Sequence, residues 1–147
     1  MRLFTAAILL TLGNLTPLAR AALGQGVDSV EADARTLKGT VTVTAMSGYS
    51  VHQIKRSDGA LLREFVSPSG QVFGIGWQGP MMPNLSQLLG PSYALFQQAP
   101  PPAHHHGPIS VHIASLVVQT GGHMRDFHVR AYLENLLPSG VSEEVVK

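Results

Sequence analysis

The sequence contains no cysteine, and only 13% of its residues are charged, with no run of lysine or arginine. Without cysteine the chain can form no disulfide, no zinc–thiolate site, no thiol redox site and no c-type haem attachment. Without a basic run or face it lacks the usual footprint of a nucleic-acid-binding protein. We therefore predict no nucleic-acid partner and a fold that is stabilised by its apolar core alone.

A helix that spans a membrane needs about 20 apolar residues, and the sequence contains no apolar run of that length. The run at residues 3–12 follows Arg2 and precedes Ala19-Arg20-Ala21, the small-x-small pattern of a cleavage site. We predict that residues 1–21 are a secretory signal peptide, cut before Ala22. The mature chain would then be periplasmic or secreted, with no transmembrane segment. Because two of the ten basic residues lie in the signal, the mature net charge would be −1.

The remaining chain predicts a single domain over residues 22–135 and a loosely held tail over residues 136–147. Apolar positions at helical spacing predict a helix that opens near Asp28 and ends at Lys38-Gly39. A second, short helix is predicted over residues 84–90. Alternating β-forming residues between turn sequences predict about six strands, at 40–45, 49–56, 60–66, 71–77, 109–120 and 124–133.

These elements predict an α+β fold in which an antiparallel meander packs against both helices, the simplest way to bury the two apolar surfaces. A cystatin-like curved sheet around the first helix is one such arrangement. The pattern does not determine the order of the strands. Gly74 and Gly76 within the fourth strand predict a bulge, a bend or a close approach of another backbone.

Several motifs in this meander resemble those of a known family. They are a Tyr-x-Val-His-x-Ile strand at residues 49–54, an Arg-Glu-Phe-Val-Ser-Pro-x-Gly hairpin at 63–70, a Trp-Gln-Gly-Pro corner at 77–80, and the leucines of the second helix. Over nearly its whole mature length the chain resembles the domain of unknown function 2844, a family of small exported proteobacterial proteins. The resemblance implies export and one compact domain, and it assigns no activity or catalytic residue.

Three consecutive histidines, His104, His105 and His106, lie in a proline-rich linker over residues 97–108. Imidazole binds transition metals, so this cluster is a candidate site for copper or zinc in a periplasmic metal-binding accessory protein. Adjacent side chains without a nearby carboxylate form a weak site, however, and an ordinary polar loop is the simpler explanation. We therefore predict no cofactor, with copper or zinc as the alternative.

Catalytic motifs are weak in this sequence. A small hydrolase would need a serine, a histidine and an acid in one cleft, and no Gly-x-Ser-x-Gly elbow is present. His52 and His112 lie in predicted strands and could face each other if those strands pair. A half-exposed polar strand position is the simpler interpretation of each. Glu64 beside Arg63 is interpreted as a solvated strand pair.

Trp77, Met81 and Met82 form the candidate ligand or partner patch. An aromatic ring and two flexible methionines between prolines at a sheet exit can form an adaptable apolar surface. The alternative is a corner of the core covered by Trp77. Together these observations predict an exported, non-catalytic binding or structural protein of the envelope or periplasm whose partner is unknown. A metal-binding accessory protein and a small hydrolase are the alternatives.

Overall fold

Seven strands form one antiparallel sheet in the computed structural model, which describes residues 23–100 and 108–147. Their order across the sheet is β1-β2-β3-β4-β7-β6-β5, so the first four strands form a meander and the last three continue it from β4 in reverse. In chain order they are β1 Thr40–Met46, β2 Tyr49–Lys55, β3 Leu61–Val66, β4 Val72–Gly79, β5 Ile109–Ile113, β6 Leu116–His123 and β7 Asp126–Leu133. The predicted α+β meander is confirmed, with one strand more than expected.

The additional strand comes from residues 109–120, which the sequence predicts as a single strand. The chain instead turns between β5 and β6 at Ala114, whose φ of 52° lies in the left-handed region. Alanine rarely adopts this conformation, whereas glycine and asparagine do so readily. The turn therefore had no recognisable sequence signal.

Three helices cover one side of the sheet, which we call the helix face: α1 (Asp28–Leu37), α2 (Leu85–Leu89) and α3 (Tyr93–Phe96). The side chain of Asn84 begins α2 because it accepts hydrogen bonds from the backbone N–H groups of Ser86 and Gln87. The main core lies between these helices and the sheet. Its buried members include Leu23, Val30, Ala34, Ile54, Leu62, Val66, Ile75, Trp77, Leu88, Leu89, Val118, Val129 and Ala131.

The opposite side of the sheet, which we call the tail face, is partly covered by the C-terminal residues 136–147. The sequence predicts a loosely held tail, but the structure packs it: Val146 is only 1% exposed. The reason is that several side chains of the inner strands on this face, such as Phe65, Phe73 and Val117, are apolar and need a cover. A second core forms there from Phe65, Phe73, Val117, Tyr132 and Val146, with Leu136, Leu137, Val141 and Val145 packed against it.

Candidate binding groove

A row of polar residues crosses the tail face from one edge of the sheet to the other. The strand register aligns one residue from each described strand in this row, namely Thr42, Gln53, Arg63, Gly76, Arg130, Gln119 and Ser110. Residues that oppose each other across antiparallel strands share a face of the sheet. Gly76 at the centre has no side chain, so a gap separates Arg63 from Arg130.

The end of the C-terminal tail lies over this gap. A Cβ atom on Gly76 would lie 2.6 Å from the main-chain oxygen of Lys147, and one on Gly74 would lie 2.5 Å from a methyl group of Val146. Both distances are too short for real contacts, so only glycine lets the tail pass this close to β4. Of the three alternatives predicted for these glycines, the close backbone approach occurs at Gly76. Gly74 instead faces the side chain of Val146 and lies next to a register shift between β3 and β4.

Both arginines of the row hold the tail through its backbone. Arg63 Nη1 donates a hydrogen bond to Lys147 O at 3.2 Å, and Arg130 Nη2 donates to Glu143 O. Arg130 Nη1 also donates to the side-chain oxygen of Gln119 at 3.0 Å. Within the described residues, neither guanidinium lies within ion-pair distance of an Asp or Glu side chain. The two positive charges are therefore positioned without being neutralised by an acidic side chain.

These arginines line a groove of about 750 Å³ on the tail face, which we call the basic groove. Its polar lining consists of Thr44, Gln53, Arg63, Gln78, Gln119, Thr120, His128, Arg130 and Lys147. Its apolar lining includes Met46, Tyr49, Val51 and Phe65. In the part of the chain that the structure describes, no aspartate or glutamate lines this groove, whereas the basic residues Arg63, Arg130 and Lys147 do.

An acidic residue lies at the rim of the groove, where it is engaged by neighbours. Gln78 and His128 oppose each other on β4 and β7. Gln78 Nε2 donates to Asp126 Oδ1 at 3.3 Å, and His128 Nε2 lies 3.2 Å from the same oxygen. The hydrogen bond from Gln78, supported by His128, lowers the pKa of Asp126. Asp126 therefore restrains the side chains of Gln78 and His128, which line the groove.

A pair of buried carboxyl groups lies on the helix face, away from the groove. Glu64 of β3 and Asp33 of α1 are both fully buried, and their side chains are hydrogen-bonded to each other. Burial, followed by the charge and hydrogen bond of Asp33, raises the pKa of Glu64 from 4.5 to about 9. The predicted solvated pair of Glu64 with Arg63 is wrong, because neighbouring residues of a strand point to opposite faces.

His52 is the residue opposite Glu64 on β2. Its Nε2 lies 3.2 Å from Ser50 Oγ, and burial lowers its pKa. Among the described residues no hydrogen bond joins His52 to Glu64, so this histidine lacks the acid that orients the ring in a catalytic triad. Four strands separate β2 from β5, so His52 and His112 do not face each other.

Trp77, Met81 and Met82 come together where the chain leaves β4. The Trp77 ring is 6% exposed, and its Nε1 donates to Met81 O at 3.1 Å. The side chains of Met81 and Met82 are 71% and 43% exposed and line a hollow of about 210 Å³ with Trp77. The ring packs in the core, and the methionines form the accessible apolar surface of this corner.

His104, His105 and His106 lie outside the described residues, so copper or zinc binding there stays a prediction. Within the described ranges, no group of three or more His, Asp or Glu side chains is placed to hold a metal ion. Over the same ranges, no helix combines the length and the apolar character that crossing a bilayer requires.

Sequence reasoning missed the basic groove, although each of its strands carried a signal. Gln53, Arg63, Gln119 and Arg130 occupy polar positions of segments that alternate between polar and apolar residues. Their convergence depends on β4 pairing with β7, and the sequence does not determine the strand order. Knowledge of that single pairing would have placed the two arginines on either side of Gly76.

The comparisons with known proteins give a family but no activity. No curated protein and no solved structure matches the chain. Residues 19–146 match the family described as "Protein of unknown function (DUF2844)", and the chain therefore belongs to this family.

Proposed function

We propose that the mature chain is an exported, non-catalytic binding protein whose basic groove holds a small anionic ligand. The observation that carries this proposal is the placement of Arg63 and Arg130 along one groove with no acidic side chain of the described residues to neutralise them. Two like charges on one surface repel each other, so an anion that contacts both lowers the electrostatic free energy.

The spacing of the two arginines favours a ligand with more than one acidic group. They are two strands apart, which corresponds to about 10 Å between their backbones. Guanidinium groups bind carboxylates and phosphates through paired hydrogen bonds, and this geometry gives specificity as well as affinity. Each arginine can therefore hold one end of a polycarboxylate or an oligophosphate.

The rest of the lining complements such a ligand. Gln53 and Gln119 flank the arginines and offer amide groups that can both donate and accept hydrogen bonds. The groove volume of about 750 Å³ is typical of small-molecule sites. His128 is already engaged by Asp126, so the proposal assigns binding and orientation to these residues and no reaction.

Export is the second part of the proposal and rests on residues 1–21. Their charged start, short apolar run and Ala-x-Ala end are typical of a cleaved secretory signal. Amino-terminal sequencing of the protein recovered from the periplasm or medium should begin at Ala22-Leu23-Gly24. A product that keeps Met1 and stays in the membrane would contradict this part alone.

Titration of the mature protein with citrate and with inorganic pyrophosphate, followed by calorimetry, tests the binding. We expect saturable binding that weakens as sodium chloride is added, because screening reduces the attraction. Sorbitol, a neutral polyol, should not bind. If neither anion binds at low ionic strength, the proposal is wrong.

Variants separate the groove from other basic surfaces. Gln53→Glu places a carboxylate opposite Arg63 without removing a tail contact, so it should weaken citrate binding at least tenfold. Arg56→Gln is the matched control, because Arg56 is paired with Asp58 and does not line the groove. Equal losses in both variants would indicate nonspecific attraction instead of a site.

A further inference from the structure

The first strand of the sheet is an exposed edge, which no described residue buries. All seven residues of β1 are exposed, and Val43 is 57% exposed. The strand reads Thr-Val-Thr-Val-Thr-Ala-Met, with no charge and no proline. Exposed edges normally carry lysine, proline, a bulge or a covering segment, because their free N–H and C=O groups pair readily with another strand. An edge of this length and composition indicates a partner strand.

We propose that the partner is β1 of a second copy of this chain, paired antiparallel about a two-fold axis at Val43. In this register Val43 opposes Val43, Val41 opposes Ala45 and Thr42 opposes Thr44. Apolar residues thus meet apolar residues on the helix face, while on the tail face Thr42 meets Thr44 and Thr40 meets Met46. Such pairs are among those that stabilise antiparallel sheets, and the uncharged strand brings no like charges together.

The opposite edge of the sheet does not offer the same surface. Strand β5 has five residues, against seven in β1, and α3 packs against it. Its residues alternate between half-buried and exposed, and His112 on it is paired with Glu134. Pairing through β1 alone gives a closed two-fold dimer, whereas pairing through both edges would give an open-ended assembly.

The absence of cysteine makes the register directly testable, because one introduced cysteine is the only thiol in the chain. Opposed residues of antiparallel strands have Cα atoms about 4.5–5.5 Å apart, which a disulfide can span. Val43→Cys should therefore cross-link to itself under mild oxidation. Val41→Cys and Ala45→Cys should each stay largely uncross-linked alone and should cross-link when mixed. Cross-linking of Val41→Cys to itself, as efficient as that of Val43→Cys, would overturn the register.

Sedimentation of the mature protein tests the dimer without any cross-link. We expect a concentration-dependent dimer for the wild type and a monomer for Val43→Lys and Val43→Glu, because each places two like charges on the axis. Mixing these two variants should restore a dimer, since unlike charges then meet. Met124→Lys, at an 84% exposed residue between β6 and β7, is the control and should stay dimeric. A monomeric wild type, or larger open-ended species, would overturn the proposal.

Discussion

At the scale of single residues, the buried carboxyl group of Glu64 makes folding depend on pH. In the unfolded chain this group loses its proton near its usual pKa of 4.5, whereas in the folded protein its pKa is about 9. Between these values the folded state binds more protons, so the free energy of unfolding falls as the pH rises. The contribution of Glu64 to stability is therefore complete below pH 4.5 and is lost above about pH 9.

We expect the free energy of unfolding to fall by up to about 1.4 kcal/mol per pH unit from neutral pH upward. The Glu64→Gln variant should lose this dependence on pH. His52, which faces Glu64 from β2, has a lowered pKa and is largely neutral in both states above its usual value of 6.5. Urea unfolding at several pH values measures the slope. Glu31→Gln, at an exposed position of α1, should keep the wild-type profile; a flat wild-type profile would contradict the prediction.

Trp77 supports the corner between β4 and α2 through both its ring and its N–H group. Truncation to alanine should cost about 3–5 kcal/mol of stability, as for other large aromatic residues in cores. Trp77→Phe keeps most of the ring volume and loses the hydrogen bond to Met81 O, so it should cost about 1–2 kcal/mol. Because Trp77 is the sole tryptophan, its emission reports on this site. Red-shifted emission that iodide readily quenches would contradict its burial.

At the scale of elements, the tail and β4 depend on each other through two glycines. Gly76→Ala should lift the end of the tail, because its Cβ atom would meet the Lys147 oxygen at 2.6 Å. We expect a loss of about 1–3 kcal/mol and faster cleavage of the tail by carboxypeptidase. Gly121→Ala is the matched strand control, since a Cβ atom there meets nothing within 4 Å. Equal effects of the two substitutions would show that general strand propensity, and not the tail, is responsible.

The elements that the sequence predicts correctly are those with strong local patterns. The alternation of residues 40–45 and the Ser-Asp-Gly and Ser-Pro-Ser-Gly turns located the meander. The turn at Ala114 was missed because its left-handed conformation has no glycine to mark it. The docking of the tail was missed because it depends on contacts between residues distant in sequence, such as Gly74 and Val146. The basic groove was also missed, because it depends on the pairing of β4 with β7, whose residues are distant in sequence.

At the scale of the whole molecule, the side chain at the proposed dimer axis and the basic groove lie on opposite faces of the sheet. Val43 opposes His52, which in turn opposes Glu64, and this row belongs to the helix face. Gln53 is the neighbour of His52 in the chain and therefore points to the tail face, where the basic groove lies. A side chain at the dimer axis can therefore be changed without altering the lining of the groove.

Anion binding and dimer formation should accordingly be separable by substitution. Val43→Lys should sediment as a monomer and still show the increase in melting temperature that citrate gives the wild type. Gln53→Glu should stay dimeric and lose most of that increase, because at the same concentration a ligand that binds more weakly stabilises the folded state less. Thermal unfolding with and without citrate, together with sedimentation of each variant, measures both properties. If Val43→Lys loses the citrate effect although it folds normally, the groove requires the second copy, and the two surfaces form one site.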